Sequence, residues 1–516
     1  MKYQQGQNRE QLHIFPVSME ASIGADNEVR MIELFVEELD MEELGFRTNH
    51  QENGRPAYHP KDLLKLYLYG YMNRIRSSRE LEKETKRNIE VMWLLKGLSP
   101  DHNTISNFRR DNPNAIKKVF RATVALAKNF NLIGGKLLAG DSTKLRAQNS
   151  KKNNFNEKKI QRHLEYIENK LEAYEKQLSE NDGDKEKEQE LKQQIETQQQ
   201  RKQSYENIQK QLVENGEVQV STSDPESRHM ITRNNITEVA YNVQTTVDAQ
   251  HNIPIDFKVT NENDSKAMGG MLRRAKVIVC NNSFTALYDK GYHTGSEFEK
   301  AAELGVEVLV AVPAVASHAP DQAFDVANFQ YNPTTDSFTC PANEVLTTNG
   351  QWYNKSRGKS INKIKQYTTK SCQGCRFRAQ CTNNKGGRMI ERSEHAELIE
   401  TNKKRIEENK NYYRRRQAIV EHPYGTIKRQ WGFSYIMTKK TIKRATADIG
   451  LIFTAYNLRR ILNIIGKERL IRFYFDFFLF LTSVLTSLEL FWRTDQKRPY
   501  ILLEKLPSLQ SKYLLI

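Results

Sequence analysis

The chain has 516 residues, enough for two to four domains and at least one sizeable core. Lysine and arginine outnumber the acids by 79 to 63, a formal charge of +16 that favours an anionic partner, nucleic acid or an acidic membrane surface, over the plainer alternative of a merely basic soluble protein. The opening MKYQQGQNREQLHIFPV lacks the apolar core of a signal peptide, which points to a cytosolic, reducing location and argues against disulfides.

Residues 1–130 read as helical. From His59 to Gly97, Pro60 and Asp62 stand as in a first helical turn, and apolar residues then recur at spacings of three and four. After a turn at Ser99-Pro100-Asp101, Thr104 is placed to cap a short helix that displays Asn107, Arg109 and Arg110. Helix, turn and short basic helix in that order fit a DNA-binding module, with a helical bundle bearing a solvated basic face as the alternative.

From residue 137 the pattern turns to strands. KLLAGDSTKLRA, AYNVQTTVDAQ, IPIDFKVTNEND, FTALYDKGYH and VEVLVAVP are short β-rich runs separated by turn residues, and the helical stretch EFEKAAELG precedes the last. The order implies an α/β sheet with acids near its strand ends. Between the first two runs, residues 157–214 carry Ile160, Leu164, Ile167, Leu171, Tyr174 and Leu178 as a coiled-coil seam, then a turn at 180–185 and a less regular return helix. An antiparallel helical hairpin follows from that spacing.

Residues 314–395 interrupt the α/β pattern again and hold four of the five cysteines: Cys340, Cys372, Cys375 and Cys381. A CxxC pair with two further thiols can form a tetrahedral structural Zn2+ site; the alternative is four unliganded cysteines. Cys280, in the apolar run AKVIVC, is expected in the core. Residues 396–466 return to helix, with nine lysines and arginines against three acids between 401 and 430 and an amphipathic helix after 444. The apolar stretch 470–492 is interrupted by Arg472, Asp476 and Glu489; its uncharged run between the two acids is 12 residues, short of the roughly 20 that span a bilayer. It is expected to be a buried or partner-facing helix, with no membrane partner.

Three acids stand in comparable settings. Asp141 closes the first strand run, Asp289 closes a later one, and Glu421 follows the apolar AIV in the basic helical segment. Carboxylates from distant elements are what a phosphodiester-cleaving site needs to hold a pair of hard divalent ions. Each acid alone has the simpler reading of a turn residue. Asp224, Asp248 and Asp264 compete with them, and Asp448 is the best substitute for Glu421. Trp352 and Trp431 are read as packed aromatics, with stacking on a displaced base as the alternative.

The segments GDSTKLRA, STSDPESRHM, AYNVQTTVDA, DKGYH, CQGCRFRAQC and IVEHPYGTIKRQWGF resemble those of bacterial insertion-sequence transposases of the DDE superfamily, over roughly residues 55–465. The resemblance implies a ribonuclease H-like α/β catalytic core and assigns Asp141, Asp289 and Glu421 as catalytic ligands of Mg2+ (or Mn2+). It implies DNA as partner, both element ends and target, and a homodimer or higher assembly on paired ends in a bacterial cytoplasm. Lys428, two helical turns after Glu421, and Arg416 are carried over as DNA contacts, together with Arg109 and Arg110 from the helical region; Gln417 stands where the family's spacing expects arginine. The implied organisation is a DNA-binding region at 1–130, a catalytic core at 131–313 and 396–466, the inserted hairpin at 157–214, the cysteine insertion at 314–395 and an apolar tail at 467–516. Two rivals are a ribonuclease H-like nuclease without strand transfer and an inactive DNA-binding descendant of a transposase.

Overall fold

Seven helices build the first part of the chain in the computed structural model, which describes residues 18–48, 56–180, 185–214, 216, 218–232, 236–281, 283–314, 319–357, 360–469 and 472. They are α1 (Glu28–Glu37), α2 (Met41–Leu44), α3 (Pro60–Met72), α4 (Ser78–Arg87), α5 (Ile89–Leu94), α6 (His102–Asp111) and α7 (Pro113–Asn129). Helix α3 starts as its sequence predicts: the His59 ring accepts from the Lys61 amide, and Pro60, with no amide to lose, takes the first position. Thr104 does not cap α6. Asp101 does, accepting from the amides of Asn103 and Thr104 at 2.8 and 3.1 Å, because a carboxylate three residues ahead reaches two orphan amides and the Thr104 hydroxyl as well.

The five β-rich runs become β1 (Leu137–Arg146), β5 (Thr237–Asp248), β6 (Ile253–Thr260), β7 (Thr285–Tyr288) and β8 (Glu307–Val310) of one mixed sheet. A short strand, β4 (Arg228–Ile231), extends it. β1 pairs antiparallel with β5 on one side and parallel with β7 on the other, and β8 follows β7 in parallel. The outer edge of β5 is shared between β4 and β6. Helices α10 (Met268–Val279) and α11 (Gly295–Glu303) lie between the later strands in sequence.

Between β1 and β4, β2 (Asn154–Asn156) and β3 (Gln219–Ser221) pair at the base of a hairpin of α8 (Glu157–Glu180) and α9 (Lys185–Glu214). The hairpin packs on itself. His163 stacks on Tyr205 with ring centroids 4.8 Å apart, and Lys202 reaches Glu168 at 3.1 Å. The return helix is continuous where its sequence is irregular, since glutamine and lysine propagate a helix well even without an apolar stripe.

The cysteine-bearing insertion forms two small sheets, β9 (Gln330–Asn332), β10 (Ser337–Thr339) and β11 (Val345–Thr347), then β12 (Tyr353–Arg357), β13 (Ser360–Tyr367) and β14 (Ile390–Ser393), with the short helix α12 (Arg378–Cys381) between. Its own core is Phe329, Phe338, Leu346, Tyr367 and Ile390. The chain returns through α13 (Ala396–Glu408) and α14 (Lys410–Gly425) to α15 (Ile442–Ile465).

α15 is not the amphipathic surface helix its sequence suggests. Every residue from Ala447 to Leu458 is buried, because one side packs on α7 and α3 and another on β6. Gly450 permits that approach: a Cβ there would meet Ile116 at 3.0 Å. A single apolar cluster therefore runs from the N-terminal helices through α15 into the sheet. Cys280 is exposed, since it ends α10 in a left-handed conformation with φ 53° instead of continuing the apolar run inward. Among the described residues no helix is long and apolar enough to cross a membrane; apart from Arg472, residues 470–492 lie outside them.

Candidate active site

The parallel register of β1 on β7 decides where the first two acids fall. Leu137 faces Thr285, Leu138 faces Ala286 and Ala139 faces Leu287. Continued by two residues, the same register sets Asp141 beside Asp289, the first residue after β7; Asp141 itself does not close its strand, because β1 runs on beside β5 to Arg146. Side chains alternate between sheet faces. Leu137, Ala139 and Leu287 pack with Ile419 and Val420 of α14, so Asp141 and Asp289 belong to the α14 face. The residue between, Gly140, turns to the opposite face, where the Tyr288 ring covers it: a Cβ there would lie 2.0 Å from the ring. Tyr288 is 1% exposed and has nowhere to retreat. Gly140→Ala should therefore lower stability by about 1–3 kcal/mol or more by overpacking, read from the denaturant midpoint, and should misplace Asp141.

α14 runs along β1. Val420 packs beside Ala139, the Tyr424 hydroxyl donates to the Asp141 carbonyl at 3.3 Å, and Lys428 Nζ donates to Thr143 Oγ1 at 3.0 Å. One turn earlier, Arg416 is the cation of the site, with Nη1 3.4 Å from Asp141 Oδ2. Tyr413 anchors the start of this row through its hydroxyl, which donates to the Tyr288 carbonyl at 2.9 Å. Glu421 lies between Val420 and Tyr424 in sequence, with its side chain exposed and accepting from Gln417 Nε2 at 3.0 Å. The structure thus brings Asp141, Asp289 and Arg416 together and holds Glu421 on the same helix, turned to Gln417.

Pro423 does not begin α14. It sits inside the helix, and the turn that follows, Thr426–Gln430, widens to π geometry. Proline offers no amide to the carbonyl four residues back, so the regular ladder is broken there and a wider turn follows. Packing of Ile419, Val420, Pro423 and Ile427 into the core keeps the helix running through this fault.

Asp264 supports the site from the other side. Its carboxylate accepts from Asn242 Nδ2 at 2.7 Å, Gln244 Nε2 at 2.6 Å and Lys144 Nζ at 3.1 Å, while Gln244 also accepts from Tyr292. Those donors hold it below the usual carboxylate range despite burial. A Cβ at Gly291 would meet Asp289 Oδ1 at 3.0 Å and Asp264 Oδ2 at 3.4 Å, so the two carboxylates flank that glycine. The sequence signal was present in the polar residues Asn242 and Gln244, which alternate with Tyr241 and Val243 in β5.

Electrostatically, Asp141 is the strained member. Burial, Asp289 and Asp264 raise its pKa to about 6, against the opposing pull of Arg416 and the Ser142 amide. As the side chains stand, no three His, Cys, Asp or Glu residues among those described are set to hold a metal ion. Asp141 and Asp289 are nevertheless oxygen donors side by side with a cation already drawn to them, which fits a hard divalent ion.

The competing acids have structural partners. Asp248 accepts from the amides of Gly134, Gly135 and Gln250, and Asp224 accepts from the Tyr241 hydroxyl. Asp448 does not substitute for Glu421: it is fully buried, bound to Arg76 at 2.5 Å and to Tyr71. Arg109 joins that same network and is 4% exposed, so it is not on a DNA-facing surface. The helical period carried it inward to answer the buried Asp448. Arg110 is exposed and pairs with Asp111 at 2.6 Å. Trp352 is 49% exposed with Lys365 over its ring, contrary to the packed reading, whereas Trp431 is buried against Phe433.

Cys340, Cys372, Cys375 and Cys381 line one small cavity together with Phe324 and Arg388. Burial raises the Cys381 thiol, and the other three sulfurs add to the shift. Cys340 Sγ accepts from the Glu344 amide at 3.3 Å, the kind of contact that steadies a thiolate.

Two family models match the chain. Residues 17–111 match a transposase domain, and residues 339–462 match a transposase DDE domain. The second match includes the four clustered cysteines, Arg416, Glu421 and Lys428; Asp141 and Asp289 lie outside both. No curated protein matches. Among solved structures, a piggyBac transposase synaptic complex with hairpin DNA aligns over 94% of this chain and 83% of that one, at 10% identity and a TM-score of 0.33, a likeness too slight to carry any argument.

Proposed function

We propose that this DDE-class transposase cuts the phosphodiester at the ends of its own mobile element and joins the freed 3′-hydroxyl to target DNA. The observation that carries the reading is the register of β1 on β7, which aligns two carboxylates where β7 ends, in a sheet whose order β6-β5-β1-β7-β8, antiparallel up to β1 and parallel after it, suits a ribonuclease H-like core. Asp141, Asp289 and Glu421 hold divalent cations, Mg2+ or Mn2+, once Glu421 leaves Gln417. Such ions polarise the attacked phosphate and lower the pKa of the attacking water or 3′-hydroxyl.

The chain's own residues do the rest. Arg416, now 3.4 Å from Asp141, would be free to take a DNA phosphate with Asp141 engaged elsewhere, and its planar fork suits two phosphate oxygens. Lys428, pinned over Thr143, presents its charge one turn beyond Tyr424. Asp264 and Tyr292 fix the loop after Asp289 against β1 and β5. The helical region 1–130 recognises the element end, with Arg110 on its exposed face, and two copies assemble on paired ends. Residues 131–313 with 396–466 form the catalytic unit, and the four thiols of the 314–395 insertion would hold Zn2+ once their side chains turn toward one another.

The test supplies pre-cut ends with an exposed 3′-hydroxyl, a supercoiled plasmid and Mg2+. Joined products are expected; cutting without joining would leave a nuclease, and neither would leave a DNA-binding protein. For the insertion, purified protein should carry about one zinc per chain, measured by mass spectrometry of the metal. Cys372→Ser with Cys375→Ser should lose it and loosen the small sheets without removing Asp141 or Asp289.

A further inference from the structure

Behind α14, on the side away from β1, lies a cleft of about 630 Å³ between the end of α3, the π turn and the last turns of α15. Its charged lining is all basic, Arg74, Arg459 and Arg460, with His422, whose imidazole burial and Arg460 keep neutral, Gln430 and Asn463 as uncharged polar groups and no acid among the lining residues. Two of these groups are already engaged. Arg459 pairs with Glu28, and His422 shares a hydrogen bond of 2.7 Å with the Tyr456 hydroxyl. Among the described residues Arg460 spends only Nε, on the His251 carbonyl at 2.9 Å, which leaves the two terminal nitrogens of its fork for another acceptor. The exposed Arg74 side chain has no partner among the described residues.

Arg74 also stands where a side chain is costly. It follows the end of α3 with φ 66°, the left-handed conformation in which glycine is preferred, and the Ile75 amide closes back on the Gly70 carbonyl as at a glycine-capped helix end. A bulky cation there is held against local preference, and the guanidinium it provides is set at the rim of a basic cleft. The same π turn sends Lys428 toward β1 on one side and Thr426 and Gln430 into this cleft on the other. One helix therefore carries the acid Glu421 and a wall of the basic cleft.

We propose that this cleft is a second DNA contact, holding backbone phosphates of the duplex engaged by Asp141 and Asp289, with Arg74 and Arg460 as the phosphate ligands. The inference rests on the transposase reading above. DNA is chosen over a small anion because the cleft's donors come from two separate elements, Arg74 just after α3 and Arg460 on α15, and its charged lining carries no acid, which suits a polyanion. Binding there ties the position of DNA to the helix that bears Glu421.

The test measures affinity of the full chain for a short duplex across a salt series. Each lost phosphate contact makes the slope of log K against log salt shallower by about 0.9. Arg74→Gly and Arg460→Gln should each show that change, and the double variant about twice it. Arg74→Gly removes the charge while relieving the backbone, so its Tm should hold or rise, which separates lost binding from lost fold. Arg74→Lys should restore most of the slope, and Lys176→Gln on the hairpin should leave it at the wild-type value. A wild-type slope in folded Arg74→Gly and Arg460→Gln would overturn the inference, as would a millimolar inorganic phosphate competitor that abolishes the difference between variants and wild type without displacing DNA. Wild-type protein that binds with the expected slope but never cuts would instead sink the catalytic reading and leave this one standing.

Discussion

Asp141→Asn should lose DNA cleavage by about a thousandfold or more, the upper range for removing one charge-stabilising group, while becoming more stable than the parent above pH 6. Both effects follow from one circumstance. The carboxylate is buried beside Asp289 and Asp264, which raises its pKa from 3.8 to about 6. Between those values the native protein keeps a proton that the unfolded chain has released, so stability falls as pH rises through the window and the penalty is complete above 6. A shift of that size corresponds to about 3 kcal/mol, a figure that already includes the attraction of Arg416. Urea unfolding at pH 8 should show the gain and unfolding at pH 4 should not. A divalent ion must displace the same proton, so its apparent affinity in the wild type should weaken on going below pH 6. Equal stability of the two proteins at pH 8, or cleavage by the variant, would refute the assignment.

The second large effect is structural. Asp448→Ala should destabilise the protein by about 3–5 kcal/mol, because it leaves buried cations without their anion. Arg76 and Arg109 are 5% and 4% exposed, Tyr71 donates to the same carboxylate, and the Met437 amide does so at 2.8 Å. These partners keep Asp448 below the usual carboxylate range against complete burial. Its stabilisation is present above pH 4 and is lost as pH falls toward the depressed pKa, opposite in sign to Asp141. The network joins α3 and α6 to α15, so its loss should separate the unfolding of the N-terminal helices from that of the sheet, visible as a broadened denaturant transition.

Asp289 was legible because a strand end announces itself, whereas Asp141 falls in the middle of β1, which pairing with β5 carries on to Arg146. Alternating apolar runs and turn residues place β1 and β7, and parity within each run sets the face of its acid. What no spacing reveals is that the two runs are neighbours in register, since lateral pairing of strands 148 residues apart depends on the helices that cover them. Arg109 shows the opposite error. A basic residue on a short helix reads as surface until a partner from another part of the chain, here Asp448, makes burial of the pair possible. Pro423 is a third case: proline is best tolerated in a helix's first turn, and tertiary packing of Val420 and Ile427 carries the helix through it with a π turn behind.

The amino-acid sequence by itself determined the elements of this protein, its excess of positive charge, the hairpin between the first two long strands and the DDE resemblance, because those depend on period, turn chemistry and composition over short stretches. Tertiary structure alone decided which acids meet, which arginines are spent inside, and that α15 lies at the centre of the molecule. Those outcomes turn on contacts between residues hundreds of positions apart, where burial changes a charged group's cost more than any neighbour in sequence can.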